Sequence, residues 1–321
     1  MSQKFAMIFP GQGSQSVGML SELADNFPAV KLIFEQASTI LKYDLWELVQ
    51  SGPAEKLDQT VFTQPALLAA DIAVWTCFQK LTNLKPDVVA GHSLGEYAAL
   101  VVAEVFTFEE AVQLVSDRGR FMQEAVSVGT GAMAAIVGLD DAVVLTICER
   151  ASAETNGLVS AANFNSIGQV VIAGEKKAVL AAIELATQAG ARMAKLIPVS
   201  VPSHCALMRP AADYLAIELK KLELKKINII SPKIKVIHNI DAKSHADSAD
   251  MLAALKEQLT QPVRWVETIQ AITAQGVNLF LECGPGRVLA GLNKRISRDI
   301  QTINLQTELE IREAIKIIQS A

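Results

Sequence analysis

The chain of 321 residues predicts an α/β fold: a parallel sheet covered on both faces, with a small antiparallel module set into it. Two patterns predict this. Short apolar strands alternate with helices up to about residue 127 and again after Pro198, as a doubly covered parallel sheet requires. Between them the chain reads strand, helix, strand, strand, helix, strand, the split βαββαβ order of a ferredoxin-like module. The expected organisation is a large domain in two pieces, residues 1–127 and 199–321, and a small inserted domain of residues 128–198.

Each element has its own signal. Residues 4–9 form an apolar strand, ended by Pro10 and the polar turn Gly11-Gln12-Gly13-Ser14-Gln15. Helical periodicity runs through 28–50. A long helix is predicted over 64–81, with Pro65 in its first turn and Leu67, Leu68, Ile72, Trp75 and Phe78 at helical spacing. Residues 87–90 are a strand, 91–95 a sharp turn, and 96–104 and 108–126 helices. In the inserted module, strands are expected at 132–137, 158–162, 169–173 and 192–199, and helices at 140–154 and 175–188. Beyond it come helices at 205–224, 247–259, 266–275, 289–297 and 309–319, and strands at 235–238, 277–282 and 301–305.

Composition narrows the function classes. Half of the residues are apolar and a fifth are charged, so a large core is available and disorder is excluded. A net charge of −5 argues against nucleic acid as the main partner. Cys77, Cys148, Cys205 and Cys283 are scattered among apolar segments with no Cys-x-x-Cys pair, which fits reduced thiols and neither a disulfide frame nor a zinc site. No signal peptide is evident, and no stretch approaches the ~20 uninterrupted apolar residues of a membrane span. The expectation is a cytoplasmic, monomeric protein with no membrane partner.

Gly91-His92-Ser93-Leu94-Gly95 carries the most information. A Gly-x-Ser-x-Gly motif between a strand and a helix lets the backbone turn tightly and project the serine, with the free N–H groups of the helix aimed at the same point. Serine needs a base, and there are four histidines. His92 is the serine's neighbour and diverges from it at a tight turn, which suits a pocket wall or a brace. His245 lies in a polar loop that reads as solvated surface. His238 ends a short strand and is a lesser candidate. His204 sits where the chain returns from the inserted module, a seam where a cleft is expected, and is the candidate on position; a capping or core role is its alternative. No histidine follows His245, so the order is not that of an ordinary α/β-hydrolase. On helix 108–126, Arg118 falls on the apolar stripe with Leu114 and Met122, so its guanidinium needs an anion or several hydrogen bonds; an internal salt bridge is the simpler alternative.

Taken together, these motifs resemble the malonyl-CoA:acyl carrier protein transacylase family from end to end. The motifs are Phe9-Pro-Gly-Gln-Gly-Ser-Gln15, Gln64-Pro-Ala66, Gly91-His-Ser-Leu-Gly-Glu-Tyr-Ala98, Arg118-Gly119 with Met122-Gln123, and Gly131-Ala-Met133. They continue with Asn163-Phe-Asn-Ser166, Gly168-Gln-Val-Val-Ile-Ala-Gly174, Val201-Pro-Ser-His-Cys205, Gln258-Leu-Thr-Gln-Pro-Val-Arg-Trp265, and Glu282 with Gly284-Pro-Gly286. The resemblance implies a large α/β-hydrolase-like catalytic domain with a ferredoxin-like subdomain. It implies transfer of malonyl from malonyl-CoA to the phosphopantetheine thiol of acyl carrier protein through a malonyl-serine ester, for fatty-acid synthesis; a discrete acyltransferase of a polyketide pathway shares these motifs. It makes Ser93 the nucleophile, His204 its base and the Gln258 main-chain carbonyl the group that orients the imidazole. The Gln12 and Leu94 N–H groups become the oxyanion hole and Arg118 the partner of the malonyl carboxylate. His92, Met122 and Asn163 are pocket candidates, and Arg287, Lys294 and Arg295 candidates for docking an acidic carrier. It implies no metal and no bound cofactor. Ile167 stands where the family often has proline, and is expected to change only turn stiffness. A serine hydrolase and a non-catalytic carrier-binding protein are the rival readings. Arg118 and the histidine order speak against the first; the intact Ser93, His204 and Arg118 set speaks against the second.

Overall fold

Strand β1 (Phe5–Phe9) is buried along its whole length, and its side chains alternate between two separate apolar cores. Phe5, Met7 and Phe9 enter one core; Ala6 and Ile8 enter the other. A strand with period-two side chains can do this only if both faces of its sheet are covered. The computed structural model describes residues 3–127, 129–225 and 232–320, so the expected boundary residue 128 lies outside the described residues.

After β1 come α1 (Ser21–Asn26), α2 (Ala29–Leu41), α3 (Leu45–Ser51), α4 (Ala54–Leu57), α5 (Thr60–Leu81), β2 (Val88–Gly91), α6 (Gly95–Val102) and α7 (Phe108–Ala125). The second sheet and its helices follow: β3 (Gly131–Val137), α8 (Asp141–Thr155), β4 (Val159–Ser166), β5 (Gln169–Glu175), α9 (Lys176–Gln188) and β6 (Met193–Leu196). The chain then forms α10 (Arg209–Lys225), β7 (Lys235–Ile237), α11 (Ser248–Gln258), α12 (Trp265–Thr273), β8 (Leu279–Glu282), α13 (Val288–Ile296), β9 (Gln301–Asn304) and α14 (Glu308–Ser320).

The large sheet is parallel throughout, in the order β7-β2-β1-β8-β9. The chain winds outward from β1 to β2 and β7, then returns to the other side of β1 with β8 and β9. The crevice beyond the carboxyl ends of the central strands is where such sheets bind ligands. The small sheet is antiparallel, in the order β4-β5-β3-β6. Its one face packs on α8 and α9 through Ile136, Val144, Ile147, Val170 and Val179. Its other face, with Met133, Ala162, Val171 and Ala173, meets Cys205.

A β-bulge ties the small sheet to the segment before α12. Ala161 and Asn163 pair with successive residues of β5, so Ala162 is the extra residue and has no partner there. Its carbonyl instead accepts from the Val263 N–H at 2.9 Å, and the Phe164 N–H donates to the Val263 carbonyl at 2.9 Å. This bridge joins β4 to the segment between α11 and α12 by main-chain atoms alone.

Two expectations need correction. Helix α5 begins at Thr60, so Pro65 lies six residues in and not in the first turn. Tertiary contacts hold the extra turn: the Thr60 hydroxyl meets the Ser200 hydroxyl at 2.8 Å, and Gly119 of α7 lies against the Thr60 carbonyl. By length and composition alone α5 is long and apolar enough to cross a membrane, but Gln64, Asp71 and Lys80 interrupt its apolar run as the sequence reading has it, and it is a core helix packed by α2, α6 and α7. Strand β6 stops at Leu196, short of residue 199, because Pro198 has no N–H to continue the ladder.

Candidate active site

The turn after β2 is built so that Ser93 is held in a left-handed conformation, with φ 52°. A residue with a Cβ rarely sits there, and the surroundings must impose it. Gly91 and Gly95 make it feasible: a Cβ on Gly91 would overlap the Gly95 backbone, and one on Gly95 the Phe9 carbonyl. Asn239, just past β7, fixes the turn from the neighbouring strand. Its Oδ1 accepts from the Ser93 N–H at 2.7 Å and its Nδ2 donates to the Gly91 carbonyl at 2.6 Å.

Ser93 Oγ lies 2.7 Å from Nε2 of His204. His204 also has a left-handed backbone, φ 60°, and is 2 % exposed. Its Nδ1 is 2.7 Å from the main-chain carbonyl of Gln258, the last residue of α11. A carbonyl only accepts, so Nδ1 carries the hydrogen and Nε2 presents its lone pair to the serine hydroxyl. Burial, reinforced by the nearby Arg118 cation, pushes His204 down to about 3, against the opposing Gln258 bond. The imidazole is thus neutral at physiological pH and able to take a proton.

Arg118 is 1 % exposed on the inner face of α7, over the Tyr97 ring. Its Nη1 donates to Gln64 Oε1 at 2.8 Å, and its Nη2 to Gln258 Oε1 at 2.9 Å and to Ser93 Oγ at 3.3 Å. Nε has no partner. Among the described residues Arg118 makes no ion pair, so the internal salt bridge considered from the sequence is absent. Neutral amides hold the guanidinium, and burial lowers its pKa. A buried cation so placed is a receptor for an anion.

The pocket beside Ser93 is lined by Gln12, Gln64, His92, Leu94, Arg118, Met122, Asn163 and His204 among others. Among the described residues, neither the Gln12 nor the Leu94 N–H donates to a protein acceptor, and Leu94 is the N-cap of α6. Two free N–H groups at such a point suit a developing oxyanion. His92 turns away from Ser93: its Nε2 meets Asn165 Oδ1 at 2.8 Å and its ring leans on Trp265. Asn163 reaches the pocket beside the β4 bulge, and Met122 Sδ accepts from Gln64 Nε2 at 3.3 Å. Among the described residues no three metal-ligating side chains cluster.

His238 is fully buried and pairs with Glu96, with Nδ1 2.7 Å from Oε1, and not with the serine. His245 is not free surface: it meets Asp241 at 3.0 Å and lies against the His238 ring. Cys205 is buried, its thiol pushed up to about 11 by burial. Arg287 pairs with Glu310, Arg295 reaches Gln169, and Lys294 is exposed on the same helix, α13. The sequence reading missed Gln64, Glu96, Asn165 and Asn239 as participants. Glu96 and Gln64 lie inside motifs already quoted; Asn239, next to a lone buried histidine after a strand, carried no readable signal.

The geometry has close counterparts among known proteins. The family model described as acyl transferase domain matches residues 6–308. The malonyl CoA-acyl carrier protein transacylase of Haemophilus influenzae is 52 % identical over 304 residues, which is 94 % of this chain and 95 % of that protein. The solved structure of the malonyl CoA-acyl carrier protein transacylase from Coxiella burnetii superposes with a TM-score of 0.95 at 54 % identity, covering 99 % of this chain and 98 % of that one. A malonyl-transacylase solved in complex with its type II PKS acyl-carrier protein gives a TM-score of 0.94 at 48 % identity, covering 99 % and 100 %.

Proposed function

The chain belongs to the acyl transferase family, and on that footing we propose the following reading of its site. The protein is an acyltransferase that moves malonyl from malonyl-CoA to the phosphopantetheine thiol of acyl carrier protein. The observation that carries the site assignment is Arg118, buried with no ion pair among the described residues and within 3.3 Å of the serine oxygen.

Ser93 Oγ attacks the malonyl thioester while His204 Nε2 takes its proton, and the Gln258 carbonyl stabilises the imidazolium that forms. The tetrahedral oxyanion lies between the Gln12 and Leu94 N–H groups. Collapse breaks the C–S bond, and CoA leaves with the proton from His204. The malonyl carboxylate meanwhile pairs with Arg118, which uses a planar fork where lysine has a point charge. The carrier thiol then attacks the ester and the steps run in reverse. An acyl group lacking the carboxylate leaves the guanidinium unpaired, which is the basis of selectivity. His92, Met122 and Asn163 wall the pocket, and Arg287, Lys294 and Arg295 form the carrier-docking rim. The large catalytic domain comprises 1–127 and 199–321, the small one 128–198. CoA and phosphopantetheine arrive with the substrates, and the reaction uses no resident cofactor. The four buried free thiols fit a reducing, cytoplasmic setting.

Intact-mass analysis after incubation with malonyl-CoA tests the assignment. One malonyl adduct is expected on the wild type and none on Ser93→Ala; an adduct that survives in the variant refutes Ser93 as nucleophile.

A further inference from the structure

Glu96 and Gln258 sit behind Arg118 in a fixed order. Gln258 Nε2 donates to Glu96 Oε2 at 2.8 Å and to the Ser93 carbonyl at 2.9 Å, so its two hydrogens are committed on that side. Its Oε1 is left to accept from Arg118. Glu96 is fully buried; its Oε2 also accepts from the Asn239 N–H at 3.1 Å, and its Oε1 lies 2.7 Å from His238 Nδ1, which donates in the tautomer that carries its hydrogen there. Three donors converging on one side chain suit a carboxylate, which only accepts.

We infer that Glu96 is a counter-ion held one amide away from Arg118, with Gln258 as the spacer, and that this spacing keeps the guanidinium open to a substrate carboxylate. A buried cation with no anion nearby is costly, and a carboxylate at short range offsets part of that cost. A carboxylate in direct contact would occupy the guanidinium fork and compete with the substrate. The amide satisfies both demands. It also transmits orientation: with Glu96 accepting, the amide cannot flip to turn its NH2 toward Arg118. Glu96 and Gln258 are therefore specificity-positioning residues. They act through Arg118, and the His204 bond, made to a main-chain carbonyl, is not altered by changing either side chain.

The inference rests on the malonyl-transfer reading, and the test separates the two. Single-turnover acylation by malonyl-CoA and by acetyl-CoA is measured by intact mass on the wild type, Glu96→Gln and the double variant Glu96→Gln/Gln258→Glu. Glu96→Gln places an NH2 among three donors and is expected to lower the malonyl-to-acetyl ratio about tenfold or more, the scale of a charge-assisted bond. The double variant keeps the net charge and moves the anion against Arg118, and the same loss of ratio is expected. Should Glu96→Gln not fold, the double variant decides. An unchanged ratio, or loss of both acyl groups by one common factor, overturns the inference. A wild type that takes no malonyl overturns the underlying reading instead.

Discussion

The acid limb of the acylation rate should lie far below that of an ordinary histidine enzyme. The perturbation is pH, and then Arg118→Ala. His204 is buried beside a cation, and both effects disfavour its charged form, which pushes it down to about 3. At pH ~5.5 an imidazole titrating near its ordinary ~6.5 would be about a tenth neutral, and the rate would fall about tenfold from its neutral value. With a value of about 3 nearly all of it stays neutral, and single-turnover kcat/KM for malonyl loading should be flat from neutral pH to about 5.5. Arg118→Ala removes the second cause, so the limb should move up toward the ordinary range. The linked stability has a definite sign. The folded value is below the unfolded one, so the full contribution is present above about 6.5 and is lost as pH falls toward 3. Quenched intact-mass time courses across pH give the rates, and circular dichroism at each pH shows that the fold persists. A half-maximal rate near 6.5 in the folded wild type would refute the argument.

Other perturbations have equally definite outcomes. Asn239→Ala strips partners from one buried and one half-buried main-chain group at the turn, and should cost about 1–3 kcal/mol in a denaturant melt as well as slowing acylation. Lys294→Glu should raise the KM for an acidic carrier protein and leave the malonyl-CoA half-reaction unchanged in steady-state assays. Arg118→Lys should keep the charge yet lose malonyl preference over acetyl in competition acylation, because one ammonium cannot hold Gln64 and Gln258 and still present a fork.

What was legible in the sequence depended on chain separation. The turn at Ser93 could be read because strand, glycines and helix are contiguous, and the inserted module because its elements alternate in order. His204 was reachable by weighing four histidines against position. The roles of Glu96 and Asn239 were not, since their partners lie more than 140 residues away. The start of α5 was misplaced for the same reason: its first turn is held by Ser200 and α7, while Pro65 advertised a local start that the tertiary contacts override. Helices α1 and α4 went unread because one or two turns show no periodicity.

The bridge between the Ala162 bulge and Val263 has a consequence for making hybrids of this enzyme with its relatives. It is backbone to backbone, so it is indifferent to which side chains stand on either strand. A small sheet taken from a diverged relative would keep this join whatever its side chains, provided that the face carrying Met133, Val171 and Ala173 still packs against Cys205. A single inserted or deleted residue between Val159 and Phe164, or between Gln258 and Val263, would slip the join and carry the histidine's carbonyl with it.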